Sequence, residues 1–304
     1  MKAIQSYRFN KYKPYFDIIG GIEFMAPALY MLALSAVTIK KYHKNFLFIT
    51  DNLGKKIAET CNLPYTEIKS VGDSFDSDPS FWIHSKIYTY ANTQEPFVHY
   101  DNDFFLWEEL PESLLSNEVF GFHTETFMWH RYEEFNSNLL KAGFKFPKFT
   151  EKYWINRIPI NMALFGGNNW KAINEYGKTI EKFIVDNQNF TELSESQKDV
   201  LELNLSTIEQ LWGSYIIQSK LNIPVGTLIT EQEIKNRSGK AKVTHLHGYK
   251  QHMQKSNKLP ELLLRLETKL NSLDPKVYSA VKKFIYSDTN INTLLAPALI
   301  DVLD

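Results

Sequence analysis

Residues 95–107 read EPFVHYDNDFFLW. Phe97-Val98-His99-Tyr100 has the length and apolar content of a buried strand, Asp101-Asn102-Asp103 follows at once, and Phe104-Phe105-Leu106-Trp107 is apolar again. Carboxylates set between apolar runs are costly unless a partner offsets their charge. A hard divalent cation such as Mn²⁺ or Mg²⁺ is one such partner, because it prefers carboxylate oxygens. In open α/β sheets, ligands gather beyond the carboxyl ends of strands. Asp101 and Asp103 stand at such an end, and Asp51 ends an earlier apolar run, NFLFITD (45–51).

Outward from this stretch, the chain alternates between strand and helix patterns. KAIQSY (2–7) reads as a first strand, Gly20-Gly21 ends the loop after it, and an apolar helix is predicted over 24–41. The strand over 45–51, a short helix over 52–62 and a strand over 65–71 follow. Asp78 and Pro79 suit the cap and first residue of a helix leading into HSKIYTYAN (84–92). RIPINMALFGGNN (157–169) reads as a buried strand closing on a Gly-Gly turn, and the polar residues 186–206 as a surface excursion. STIEQLWGSYIIQ (206–218) is an amphipathic helix, in which Ser206 and Glu209 fit a capping box and leave Gln210 to face a cleft. KVTHLHGYK (242–250) predicts a last short strand, and two helices follow residue 256. This order predicts an α/β fold with parallel strands. We expect a domain over 1–255 and a C-terminal helical extension over 256–304.

Bulk properties narrow the partners. The 304 residues suit one large domain with an appendage, and 43% hydrophobic residues supply its core. A formal net charge of -1 gives no basic excess, so no nucleic-acid partner is expected. The single cysteine, Cys61, excludes a disulfide framework and a cysteine-rich metal site, and is compatible with a cytoplasmic protein. The first residues lack a signal-peptide core. The apolar stretch 24–39 falls short of the ~20 residues that span a bilayer, so no transmembrane segment is expected.

A second cluster lies late in the chain. On a strand, His245 and His247 share a face with Val243, while Leu246 points the other way. Gly248 permits a close backbone approach and Lys250 adds a positive charge.

Together the D-x-D and the H-x-x-G with lysine resemble the GT-A class of glycosyltransferases, in particular glycosyltransferase family 8. The opening KAIQSY, the strand ending in T-D, the PFVHYDND core and the GGN turn also resemble an uncharacterised bacterial GT-A-like group, over roughly residues 1 to 250. The resemblance implies a GT-A type, Rossmann-like mixed sheet flanked by helices, and transfer of a sugar from a nucleotide-diphosphate donor, a UDP-sugar. The acceptor would be a sugar, lipid or peptide. It implies Asp101, Asp103 and His245 as ligands of Mn²⁺ or Mg²⁺, and Asp101, Gly248 and Lys250 beside the donor; His247, which has no counterpart in that pattern, is expected as a phosphate contact. Lys250 lies two residues after the glycine, where that family usually has three. Lys86 matches the basic residue on the helix before the D-x-D strand. Asn161 and Ala163 in INMALFGG resemble the family's sugar-contacting strand, with Met162 intervening, and Glu209-Gln210 its D-Q segment at the reacting centre, with Glu for Asp. Retention of configuration is implied. His99 is not expected to bind metal; His123 and Glu125 are placed to reach an acceptor, and Trp129 to stack on a sugar or join the core. A metal-dependent nucleotidyltransferase or phosphohydrolase, or a non-catalytic nucleotide-sugar binder, are the alternative readings. The C-terminal stripe of leucines predicts packing on the catalytic domain. The alternative is peripheral membrane contact through Lys282-Lys283 and Phe284-Ile285-Tyr286.

Overall fold

The computed structural model describes residues 1–9, 22–72, 81, 83–126, 129–147, 158–187, 205, 207–230, 232–233, 242–246 and 258–287. In chain order its elements are β1 (Lys2–Tyr7), α1 (Ile22–Lys40), β2 (Phe46–Thr50), α2 (Asn52–Thr60), β3 (Glu67–Ser70), α3 (His84–Asn92), β4 (Phe97–Tyr100) and β5 (Phe104–Leu106). Then come α4 (Glu112–Leu115), β6 (Val119–Thr124), α5 (Trp129–Lys141), β7 (Ile160–Gly167) and α6 (Trp170–Asp186). Helix α7 covers 207–220, followed by β8 (Val225–Thr227), β9 (Val243–His245), α8 (Leu259–Leu273) and α9 (Pro275–Tyr286).

The main sheet has seven strands in the order β3-β2-β1-β4-β7-β6-β8. It is mixed: β2/β3, β1/β4 and β6/β8 are parallel, and β7 runs antiparallel to both β4 and β6. The expected mixed α/β sheet flanked by helices is therefore present. The runs 45–51 and 97–100 read as unbroken apolar segments because every residue of β2 and β4 is buried. Asp78 and Pro79 lie outside the described residues.

The chain divides into two compact units, one of residues 1–6, 75–101 and 110–240, the other of 7–74, 102–109 and 241–304. In the first, β7 is buried along its length. Gly166 and Gly167 are not a turn but the end of this strand, paired with Val98 and Phe97. A Cβ on Gly166 would stand 2.1 Å from the Phe97 carbonyl oxygen, so only glycine lets β7 lie this close to β4. Helices α3 and α6 also meet backbone to backbone, since a Cβ on Gly177 would lie 2.4 Å from Ala91 N. Asn174 Nδ2 donates to the carbonyls of Tyr90 (2.6 Å) and Thr93 (2.8 Å), satisfying the end of α3. Helix α7 is wound as π over Thr207–Trp212, α over Gly213–Tyr215 and π again over Ile216–Lys220. π turns are rare and often mark functional positions.

In the second unit, Asp51 caps α2: Oδ1 accepts from Gly54 N at 2.6 Å, and Oδ2 accepts from Phe9 N at 2.7 Å. That strand-end carboxylate is thus engaged by backbone donors. β9 does not join the main sheet; it pairs antiparallel with β5 as a two-stranded ribbon. Helix α1 supports the ribbon, with Ser35 Oγ donating to Phe104 O at 2.6 Å and Thr38 Oγ1 accepting from Leu106 N at 3.3 Å. The leucine stripe of α8, Leu262, Leu266 and Leu270, shares one core with α1 residues such as Leu29 and Ala33 and with Val277, Val281 and Phe284 of α9. Full burial of each such side chain contributes about 1.5–3 kcal/mol. Asp274 ends α8 and caps α9, its Oδ1 accepting from Lys276 N (3.1 Å) and Val277 N (3.0 Å). The helices expected as an extension therefore share their core with α1. Among the described residues, no helix is long and apolar enough to cross a membrane.

Candidate metal and donor site

Strand β4 delivers Asp101. Its backbone N–H still donates to Ala163 O of β7, at 2.8 Å, so the residue leaves the sheet in a fixed direction. Lys86 projects from α3. It is 6% exposed, and a cation so buried must be paired. Its Nζ lies 2.7 Å from Asp101 Oδ1 and forms an ion pair with Glu209 of α7. Burial pulls the Lys86 ammonium down, but the Asp101 and Glu209 carboxylates outweigh it and hold the ammonium above its ordinary value. Glu209 is pushed up to about 7. Burial raises it, the Lys86 cation opposes, and Asp101 and Glu125 raise it further. One cation between two carboxylates leaves a net negative charge, and proton uptake by Glu209 near neutrality removes it. The side chain of Glu209 thus serves Lys86; Ser206, its expected capping partner, lies outside the described residues.

A second polar cluster adjoins the first through the chain pair Glu209-Gln210. Asn161 Nδ2 of β7 donates to Glu125 Oε1 at 2.7 Å, and Asn161 Oδ1 accepts from Ala163 N at 3.1 Å. The Tyr132 hydroxyl of α5 contacts both Glu125 Oε2 and the Gln210 side-chain amide. All four polar side chains are buried. Tyr132 was not singled out from the sequence, because a lone tyrosine in WHRYEEF carries no pattern.

On the ribbon, register opposes Phe104 to His245. This places His245 Nε2 3.5 Å from Asp103 Oδ1, with Asp103 buried. Leu246 N donates to Asp103 O at 3.2 Å and fixes the turn. One potential ligand atom each from Asp101, Asp103 and His245 lies within 4.8 Å of the others. Two carboxylates and an imidazole suit Mn²⁺ or Mg²⁺. His247, Gly248 and Lys250 lie outside the described residues, as does the side chain of Trp129.

His99 and His123 are engaged elsewhere. His99 Nε2 bonds to Ser6 Oγ at 2.9 Å, and its ring meets Tyr90 edge-on. Burial, then the Lys86 charge, push it well below the ordinary range, so it stays neutral. His123 Nδ1 donates to Thr124 O at 2.9 Å.

Sheet and side chains together define an α/β protein with an Asp-Asp-His cluster able to accept a divalent cation. The chain belongs to a family described as a family of unknown function (DUF6734), whose model matches residues 1–284. No curated protein matches it. Among solved structures, it is similar to the crystal structure of the galactosyltransferase LgtC in complex with donor and acceptor sugar analogs. The identity is 12% and the TM-score 0.37, over 67% of this chain and 70% of that one. Similarity at that level leaves the function to be argued from the site.

Proposed function

We propose that this protein is a glycosyltransferase that moves a sugar from a UDP-sugar to an acceptor hydroxyl with the help of Mn²⁺ or Mg²⁺, and that it works in the cytoplasm. The observation that carries the reading is the convergence of Asp101, Asp103 and His245 at the end of β4 and on the β5–β9 ribbon. These three residues would hold the cation. When bound, it supplies positive charge to the leaving diphosphate.

The other residues have roles of their own. Lys86 fixes the Asp101 carboxylate and balances Glu209. Asn161 and Gln210, locked by Glu125 and Tyr132, present polar atoms for the sugar and hold it for in-line attack. Ala163, lacking bulk, leaves room at the same strand. His247, Gly248 and Lys250 receive the diphosphate. Retention of configuration belongs to this reading.

The test is product identity. The protein is incubated with a panel of UDP-sugars, with and without Mn²⁺. Release of UDP that requires Mn²⁺ supports the proposal. Release of UMP would point to a nucleotidyltransferase or phosphohydrolase, and binding without any release to a non-catalytic binder.

A further inference from the structure

The Tyr132 hydroxyl faces two acceptors, Glu125 Oε2 and the oxygen position of the Gln210 amide. A phenol has one proton and can donate to only one of them. The two ends of a glutamine amide are interchangeable in shape, and which atom is nitrogen follows from the network around it. Glu125 already accepts from Asn161 Nδ2 at 2.7 Å and has its second oxygen toward Tyr132. Two donors suit a carboxylate, so the tyrosine proton belongs to Glu125. Gln210 must then turn its nitrogen to Tyr132 and donate to the phenolic oxygen.

We infer that Tyr132 fixes the orientation of Gln210, with Nε2 on the tyrosine oxygen and the carbonyl oxygen Oε1 turned away from it. The completed chain runs from Gln210 Nε2 to Tyr132 Oη to Glu125, which also receives Asn161, while Asn161 Oδ1 receives Ala163 N. The hydroxyl ties α5 to α7 and to the segment after β6, and Glu125 extends the chain to β7. Each of the four side chains is at most 7% exposed, so solvent does not substitute for a lost member. Resting on the glycosyl-transfer reading, this makes Tyr132 a positioning residue that acts through Gln210. It presents a carbonyl oxygen, a hydrogen-bond acceptor with electron density, where the other orientation would present an N–H donor.

The test combines a structural and a kinetic readout. In ¹⁵N-labelled protein, the Gln210 side-chain amide is assigned by its loss in Gln210→Glu. A proton of this amide should exchange with solvent roughly tenfold more slowly in the wild type than in Tyr132→Phe, the effect of one buried hydrogen bond. Exchange as fast as that of free glutamine in the wild type overturns the inference, and that comparison needs no variant to fold. With UDP-glucose and UDP-galactose in Mn²⁺, Tyr132→Phe should lower kcat for UDP release on the order of 10²-fold. KM and the affinity for UDP with Mn²⁺ should not change. Unchanged kcat, or a matching loss of UDP affinity, overturns the positioning role. A protected amide in a wild type that releases no UDP from any donor supports the orientation and refutes glycosyl transfer.

Discussion

Lys86→Met keeps the length of the side chain and removes its charge. In the wild type, that charge stands 2.7 Å from Asp101 Oδ1 and pairs with Glu209, whose side chain is 2% exposed. Removing one member of a buried ion pair typically costs about 3–5 kcal/mol, because the remaining charge is left desolvated. The cost should depend on pH in a stated direction. Glu209 is already raised to about 7, so below that value both proteins hold it protonated and its titration weakens them equally. Without Lys86 its folded-state value rises further. A raised carboxylate favours the folded state at low pH and loses that advantage as pH climbs through the folded value. The difference between variant and wild type should therefore be small at pH 6. It should then widen by up to about 1.4 kcal/mol per pH unit above 7, to as much as about 2.8 kcal/mol at pH 9. Urea unfolding from pH 6 to 9 measures it. Adding Glu209→Gln to the variant should abolish the widening. A difference that is flat with pH, or under about 1 kcal/mol at pH 9, would refute the Lys86–Glu209 argument, since exposed pairs are worth no more than that.

Leu266→Ala should destabilise the protein by about 2–5 kcal/mol in the same assay, because Leu266 is 3% exposed in the core shared by α8, α9 and α1; a loss under about 1 kcal/mol would show that the helices do not depend on this core. His99 is held neutral well below the ordinary histidine range, so the unfolded chain gains a proton below about pH 6.5 that the folded chain refuses. Its contribution is present above that pH and is lost on acidification, by about 1.4 kcal/mol at pH 5.5. Comparison of the wild-type and His99→Gln stability profiles should show that slope only in the wild type.

The sequence carried the central strands because burial on both faces leaves unbroken apolar runs, as in β2, β4 and β7. The Asp-Asp-His cluster was legible for a covalent reason and a register reason. Asp101 and Asp103 are two residues apart, and the ribbon sets His245 opposite Phe104, next to Asp103. The late strand was read, but its pairing with β5 as a separate ribbon was not, because three-residue strands carry too little pattern to name a partner. Gly166 and Gly167 read as a turn because a glycine pair carries no sign of whether it bends the chain or lets strands approach. Glu209 read both as a capping residue from S-x-x-E spacing and as part of a D-Q-like segment; its ion pair with Lys86, 123 residues earlier, was not legible because no local pattern links the two. Tyr132 escaped notice since Gln210 comes from an element 78 residues on, and the nearer Glu125 stands at no spacing that marks a pair.

The central claim is that Asp101, Asp103 and His245 hold a divalent cation, and electron paramagnetic resonance of Mn²⁺ tests it directly. Free aqueous Mn²⁺ gives a sharp six-line signal that is lost on binding, so titration counts bound ions. The wild type with UDP should bind one equivalent. Asp103→Ala and His245→Ala should each leave the ion free while the circular dichroism spectrum stays that of the wild type. One equivalent bound with unchanged affinity in both variants would contradict the account.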